Sequence, residues 1–254
     1  ERAGADYLSV TIGWHESSQS VITRDVPMGH WLYIAEAIRK EVSVPVMMAF
    51  RQFLPHIPEK AISQGQIDFV EMCRPMIADP AFPQKVREGR EKEIIPCIAC
   101  NVCFSRLYYH QPIMCSVRPN LGHEGEANWG YYGFEPSKNK KKVTVIGAGP
   151  AGLQCAVVAR QKGHDVTVYE KNDMVGGNIL IASRVDPGAI ELLRPIHTLE
   201  ELCRKEGVVI RTGVECDPSH VRTDRPDVVV VASGPMPKDV PPGVLSPRDI
   251  MTGT

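Results

Sequence analysis

Cys97-Ile98-Ala99-Cys100-Asn101-Val102-Cys103 puts three thiols within seven residues, and Cys115 adds a fourth at the spacing C-x2-C-x2-C-x11-C. If all four sulfurs serve one group, the backbone between them has few paths open to it. Three thiolates this close in sequence can take three corners of one inorganic cube, with the fourth supplied from further along. The same C-x2-C-x2-C triple opens the bacterial ferredoxin run. Zinc is the main rival, but structural zinc usually pairs two separate C-x2-C knuckles. A disulfide framework suits a small secreted domain, whereas this chain has 254 residues and no signal-peptide pattern at its start. The expectation is a 4Fe–4S cluster on Cys97, Cys100, Cys103 and Cys115. That implies one-electron traffic, and hence redox partners on either side.

Upstream, strand-like and helical segments alternate. Tyr7–Ile12, Val44–Phe50 and Asp68–Met72 read as strands, with apolar character suited to a sheet covered on both faces. Between and after them, His30–Glu41 carries Trp31, Ile34, Ala35 and Ile38 at helical spacing, and Pro58–Gln64 reads as a short helix. Asp79-Pro80 predicts an N-cap with proline at the first helical position, opening a helix to about Gly89. This is the βα repeat of a parallel sheet. Three such units do not close a barrel, but they fit the last three of eight, whose loops form the phosphate corner of a TIM barrel. The second strand ends in Phe50-Arg51 and the third in Cys73-Arg74-Pro75, so two arginines stand ready to clamp a phosphate. The alternative is a pair of surface arginines facing nearby carboxylates. The first strand runs into Gly13-Trp14-His15-Glu16, which puts His15 on the face where barrel enzymes keep their chemistry. A near-neutral pKa suits it to proton transfer, though a loop histidine bonded to backbone has the same sequence.

Downstream of a polar bridge over 116–142, Val143–Ile146 is an apolar strand that enters Gly147-Ala148-Gly149-Pro150-Ala151-Gly152 and a helix to about Lys162. A second strand, Val166–Glu170, ends in an acid 18 residues after the last motif glycine. Gly147 makes the tight turn, Gly149 lets a pyrophosphate approach, Gly152 allows close packing, and Glu170 binds ribose hydroxyls. With strand, helix, second strand and acid all in place, the glycine pattern predicts a dinucleotide-binding unit. A helix over Leu192–Glu206 and a strand over Val208–Thr212 follow. The motif by itself does not separate FAD from NAD.

A net charge of −1 gives no reason to expect nucleic acid or an anionic membrane surface. The lysine-rich run Lys138–Lys142 reads as a solvated surface. No apolar run approaches the length of a transmembrane helix. Cys73, Cys155, Cys203 and Cys216 read as reduced structural thiols, which favours a cytoplasmic setting. Opening on the tail of a helix and stopping just after a new segment begins, the sequence reads as an internal piece of a larger polypeptide.

Four motifs, GWHE (13–16), RPMIADP (74–80), CIACNVC (97–103) and VIGAGPAG (145–152), occur in an order that resembles the iron–sulfur flavoenzymes of the old yellow enzyme group. That group includes 2,4-dienoyl-CoA reductase and trimethylamine dehydrogenase, and the likeness spans essentially the whole chain. The resemblance implies an α/β architecture in three parts. These are the last βα units of an FMN-bearing TIM barrel (1–92), a 4Fe–4S segment and linker (93–137), and an incomplete Rossmann-like FAD-binding domain (138–254). It places Arg51, Cys73 and Arg74 at the FMN phosphate and Cys97, Cys100, Cys103 and Cys115 on the cluster. FAD falls to Gly147, Ala148, Gly149, Pro150, Ala151, Gly152, Glu170, Lys171, Gly176, Gly177, Asn178, Ala232 and Gly234, the later glycine pair and the VVVVASG strand end (228–234) favouring a flavin. His15 falls on the histidine that helps protonate the substrate in the dienoyl reductase. The spacing within CIACNVC is closer to the amine enzyme, but Leu107 stands where that enzyme has an aromatic-bowl tryptophan, and GWHE belongs to the enoyl side.

The activity this implies is reduction of an activated C=C in a small-molecule substrate, with electrons from NAD(P)H passing through FAD and the cluster to FMN. The alternatives are an amine dehydrogenase that hands electrons to an electron-transfer flavoprotein, and a non-catalytic relay subunit. A homo-oligomer is compatible with each.

Overall fold

A computed structural model of the chain describes residues 2–13, 22–49, 51–126, 129–130, 133–185, 187–235, 249 and 251. The chain separates into two compact units, 1–122 and 123–254. The cysteine segment folds with the first of them.

In the first unit, β1 (Leu8–Val10), β2 (Val46–Met48) and β3 (Phe69–Val70) form a three-stranded parallel sheet in sequence order. Leu8 pairs with Val46, and Met47 with Phe69. Helix α1 (Leu32–Glu41) connects the first pair of strands and α2 (His56–Ser63) the second. The helical stripe expected from the sequence is the face that packs: Ala35 is fully buried, and Trp31, Ile34 and Ile38 lie against Val10, Val46 and Met48. At the far end of β2, Asp68 accepts from the Val46 amide at 2.8 Å and pairs with Arg39 at 2.7 Å, tying strand to helix. Three parallel strands with crossover helices are the predicted βα units.

Beyond β3 the chain departs from expectation. Arg74–Ala78 forms a short helix, α3, and Asp79 terminates it. Helix α4 begins only at Phe82, with Ala81 at its N-cap and Pro83 in its first turn, and it ends at Arg87. Asp79 does not serve as the expected N-cap because its carboxylate has stronger claims on it. It is 3% exposed and accepts from the Ala81 amide at 3.0 Å, the Ile95 amide at 2.9 Å and Lys85 Nζ at 2.6 Å. This buried pair fastens the approach to Cys97 onto α4. Helix α5 (Val102–Tyr108) then carries Cys103 in its first turn.

The second unit is a four-stranded parallel sheet, β6-β5-β4-β7, built from β4 (Lys142–Ile146), β5 (Asp165–Tyr169), β6 (Val209–Arg211) and β7 (Val228–Val231). With β4 first in sequence, this is the 3-2-1-4 order of a doubly wound nucleotide-binding sheet. Helix α6 (Pro150–Gln161) follows β4, α7 (Asn178–Ala182) follows β5, and α9 (Pro218–Asp224) precedes β7. Helix α8 (Arg194–Glu206) covers the core formed by Val145, Val168, Leu153 and Ala156, through Ile196, Leu199 and Cys203. Its expected start at Leu192 moves because Pro187–Leu193 is a 3-10 segment. Burial pushes the Cys203 thiol up to about 12, in keeping with a packing role.

Asp79→Ala removes one partner of a mostly buried ion pair and strands Lys85. The expected loss in stability is about 3 kcal/mol, read as a lower urea midpoint, with Lys85→Met costing at least as much because it leaves the more deeply buried Asp79 carboxylate without its counter-charge.

Candidate functional site

The four motif cysteines share one recess. Cys97, Cys100, Cys103 and Cys115 line it with Arg74, Asn101 and Ser116. Ala99 and Asn101 adopt left-handed backbone, at φ 51° and 57°, which turns the chain sharply enough to aim neighbouring thiols inward. All eight cysteines are free, so no disulfide competes for these sulfurs. Among the described residues, no group of three or more His, Cys, Asp or Glu side chains is drawn together as a ready site for one metal ion.

Backbone amides lie close to two of the sulfurs. Ala99 N–H donates to Cys97 Sγ at 3.4 Å, and the Val117 and Arg118 amides lie near Cys115, whereas the Phe104 amide donates to Asn101 O at 3.0 Å. Cys100 Sγ lies 3.3 Å from Ser116 Oγ. Burial pushes the Cys97 thiol up to about 11, with the Ala99 amide and Arg74 pulling the other way. Cys103 and Cys115 are also raised by burial. Such thiols ionise only when a bound cation supplies the missing charge. Four thiols on one recess are a donor set that fits an iron–sulfur cluster.

Arg51 and Arg74 converge on one ring, their guanidinium carbons 5.5 and 5.1 Å from the centroid of Phe53. Arg51 is 1% exposed and held at φ 49°, an unusual backbone for a buried arginine. Arg74 does more than the sequence suggested, because its Nη1 donates to Asn101 Oδ1 at 2.6 Å inside the cysteine loop and to Ile22 O at 2.8 Å. Cys73 is exposed at the N-cap of α3. His15 and Phe50 lie outside the described residues.

In the second unit, the glycine loop follows β4 directly. A Cβ at Gly147 would meet Ala232 O at 2.4 Å, and one at Gly152 would meet Gly147 O at 1.9 Å. Both glycines are therefore demanded by the fold. Gly149 differs: a Cβ there would meet nothing within 4 Å, so its bareness leaves an open approach to the N-terminus of α6. Pro150 and Ala151 begin that helix. Gly176 N–H donates to Ala148 O at 2.8 Å, seating the segment Gly176-Gly177-Asn178 beneath the loop. Ala232 N–H donates to Ile146 O at 2.8 Å, and Gly234 follows with φ 78°.

Glu170 is 5% exposed and already engaged. One oxygen accepts from the Ala148 amide at 2.9 Å, and the other accepts from Asn172 N at 3.0 Å and Asn172 Nδ2 at 2.7 Å. It thus braces the glycine loop as well as standing where ribose hydroxyls are expected; Lys171 beside it is exposed. The sequence reading missed Asn101, Ser116 and Arg118. The one available signal was Asn101 between the cysteines, since asparagine is enriched in left-handed backbone.

Comparison with known proteins follows this geometry. The family described as "NAD(P)-binding Rossmann-like domain" matches residues 145–205. The chain is 34% identical to the metal reductase of Desulforamulus reducens over 100% of its own length and 39% of that protein. It is 38% identical to the NADH oxidase of Thermoanaerobacter brockii over 93% of the chain and 36% of the relative. Among solved structures, 2-naphthoyl-CoA reductase, in complex with 2-naphthoyl-CoA, matches with a TM-score of 0.91 and 36% identity, over 98% of this chain and 38% of that one. These relatives are named reductases and oxidases. The chain belongs to the old yellow enzyme and trimethylamine dehydrogenase-like flavoproteins, and it spans less than two fifths of the relatives it matches. No helix among the described residues is long and apolar enough to cross a membrane.

Glu170→Ala frees the buried Ala148 amide and unpins the loop. The expected cost is about 1.5–3 kcal/mol, as for hydrogen bonds to a charged group. It is read by denaturation without added nucleotide, and a second loss is expected in retention of an adenosine-containing cofactor through dialysis.

Proposed function

We propose that this chain is part of an NAD(P)H-dependent flavin and iron–sulfur oxidoreductase that reduces an activated C=C bond, of the enoate or 2,4-dienoyl-CoA type. The observation that carries this reading is the recess lined by all four motif thiols, in the same compact unit as the paired arginine-bearing strand ends. A 4Fe–4S cluster, when bound, supplies one-electron transfer between the two-electron chemistry of the flavins. Cys97, Cys100, Cys103 and Cys115 would hold it, with the Ala99 amide bonding the Cys97 sulfur. Arg51 and Arg74 would hold an FMN phosphate beside Phe53, near Cys73. Gly149 and the first turn of α6 would receive the FAD pyrophosphate, with Glu170 and Lys171 at the ribose and Gly176, Gly177, Asn178, Ala232 and Gly234 along the nucleotide. His15 would hold the proton destined for the substrate carbon. The resemblance to flavin-binding relatives favours FAD over a second nicotinamide nucleotide in the glycine site.

Amine dehydrogenation would use the same carriers and pass electrons to an electron-transfer flavoprotein. Leu107, 55% exposed where the amine enzyme has a tryptophan, offers no aromatic face to an ammonium and favours the C=C reading.

Anaerobically purified full polypeptide is expected to hold about four iron and four sulfide per chain at the cysteine recess; stoichiometric zinc without sulfide would overturn the assignment. His15 is tested by stopped flow. In His15→Ala, flavin reduction by NAD(P)H should proceed almost unchanged, while reoxidation by an enoyl substrate slows by about 10²–10⁴-fold, the worth of a positioned acid. Equal slowing of both half-reactions, or of neither, would remove His15 from the chemistry.

A further inference from the structure

We propose that Arg74 sets the reduction potential of the cluster, as a fixed positive charge built into the wall of the cysteine recess; this rests on the cluster reading above. Arg74 is the first residue of α3, just past the end of β3. From there it lines the recess with all four cysteines. Its Nη1 is fixed from two sides, by Ile22 O at 2.8 Å and by Asn101 Oδ1 at 2.6 Å, and its guanidinium packs on Phe53. Among the described residues, both of these hydrogen-bond acceptors are uncharged oxygens, so no carboxylate there cancels its charge. Burial pulls the Arg74 pKa down and attraction to Cys97 and Cys103 works against that shift, while a guanidinium stays protonated throughout.

Reduction adds one electron to whatever the four thiolates hold. A cation fixed at the wall therefore stabilises the reduced form more than the oxidised form. The protein's levers on such a site are net charge, hydrogen bonds to sulfur and exposure. The Ala99 amide provides a hydrogen bond to sulfur, and Arg74 provides the charge. Its bond to Asn101, which holds left-handed backbone between Cys100 and Cys103, also keeps that charge at constant distance from the sulfurs.

The test is an EPR-monitored redox titration of the full polypeptide, purified anaerobically. Arg74→Gln should shift the one-electron equilibrium about tenfold toward the oxidised form, a potential about 59 mV more negative. Arg74→Lys, which keeps the charge, should stay near the wild-type potential. Asn101→Gly, which tolerates the left-handed backbone but releases the anchor, should shift it less than Arg74→Gln does. A wild-type potential in Arg74→Gln, or equal shifts in Arg74→Gln and Arg74→Lys, would overturn the proposal. If Arg74→Gln fails to hold the cluster, Arg74→Lys decides. A retained cluster near the wild-type potential supports the charge role, and loss from both variants overturns it. Wild-type protein without iron and sulfide would instead refute the cluster reading itself.

Discussion

Burying three thiols in one short loop is the constraint on which the first unit turns. Cys97, Cys103 and Cys115 all sit where burial favours the neutral form, so they offer one another no charge attraction that would hold the loop together. Something other than the sulfurs has to hold their loop in shape. Three tethers do so, and all spring from one short stretch of chain. Arg74 bonds Asn101, the Ile77 carbonyl accepts from Arg118 at 3.2 Å, and Asp79 accepts from the Ile95 amide. Helix α3 and its terminating aspartate thus grip the cysteine segment before, within and after its cysteine run. Five residues of helix are too few to be stable alone. Their position is fixed by packing, with Pro75 and Ala78 buried beneath.

The second unit meets a different constraint, the close approach of backbone to ligand. Its loop works because two glycines vanish into the fold and a third stays bare toward the outside. Gly147 and Gly152 leave room for the Ala232 and Gly147 carbonyls, whereas Gly149 leaves room for nothing within the chain. Glu170 links this loop to the end of β5 through Ala148. One carboxylate is therefore a brace of the loop, and it has more lone pairs than the bonds it makes here.

Much of this was legible in the sequence because it depends on local pattern. The parallel strands announced themselves as short β-branched runs such as Val143–Ile146, and the glycine loop by its spacing. The recess of four thiols followed from C-x2-C-x2-C-x11-C. What stayed hidden depends on partners distant in sequence. Asp79 has every mark of an N-cap, yet Lys85 and the Ile95 amide outbid the helix for it, and no local rule contains Ile95. Arg74 and Asn101, 27 residues apart, look like independent elements of two motifs until the fold joins them. Leu192 and Leu193 fit the stripe of α8, but the Pro187–Leu193 segment winds as a tighter 3-10 turn first.

The arrangement around Phe53 carries the argument one step further. Arg51 occupies left-handed backbone, where a non-glycine residue stores about 1–3 kcal/mol of strain. It is also buried, and it shares its aromatic ring with a second guanidinium. Strain, desolvation and like-charge proximity all oppose that placement, while the Phe53 ring and the negative charge of nearby Asp25 work in its favour. Such a conformation persists when the surroundings over-determine it. The ends of β2 and β3 fix both arginines, and Arg74, packed on the same ring, joins this corner to the cysteine recess through its bond to Asn101.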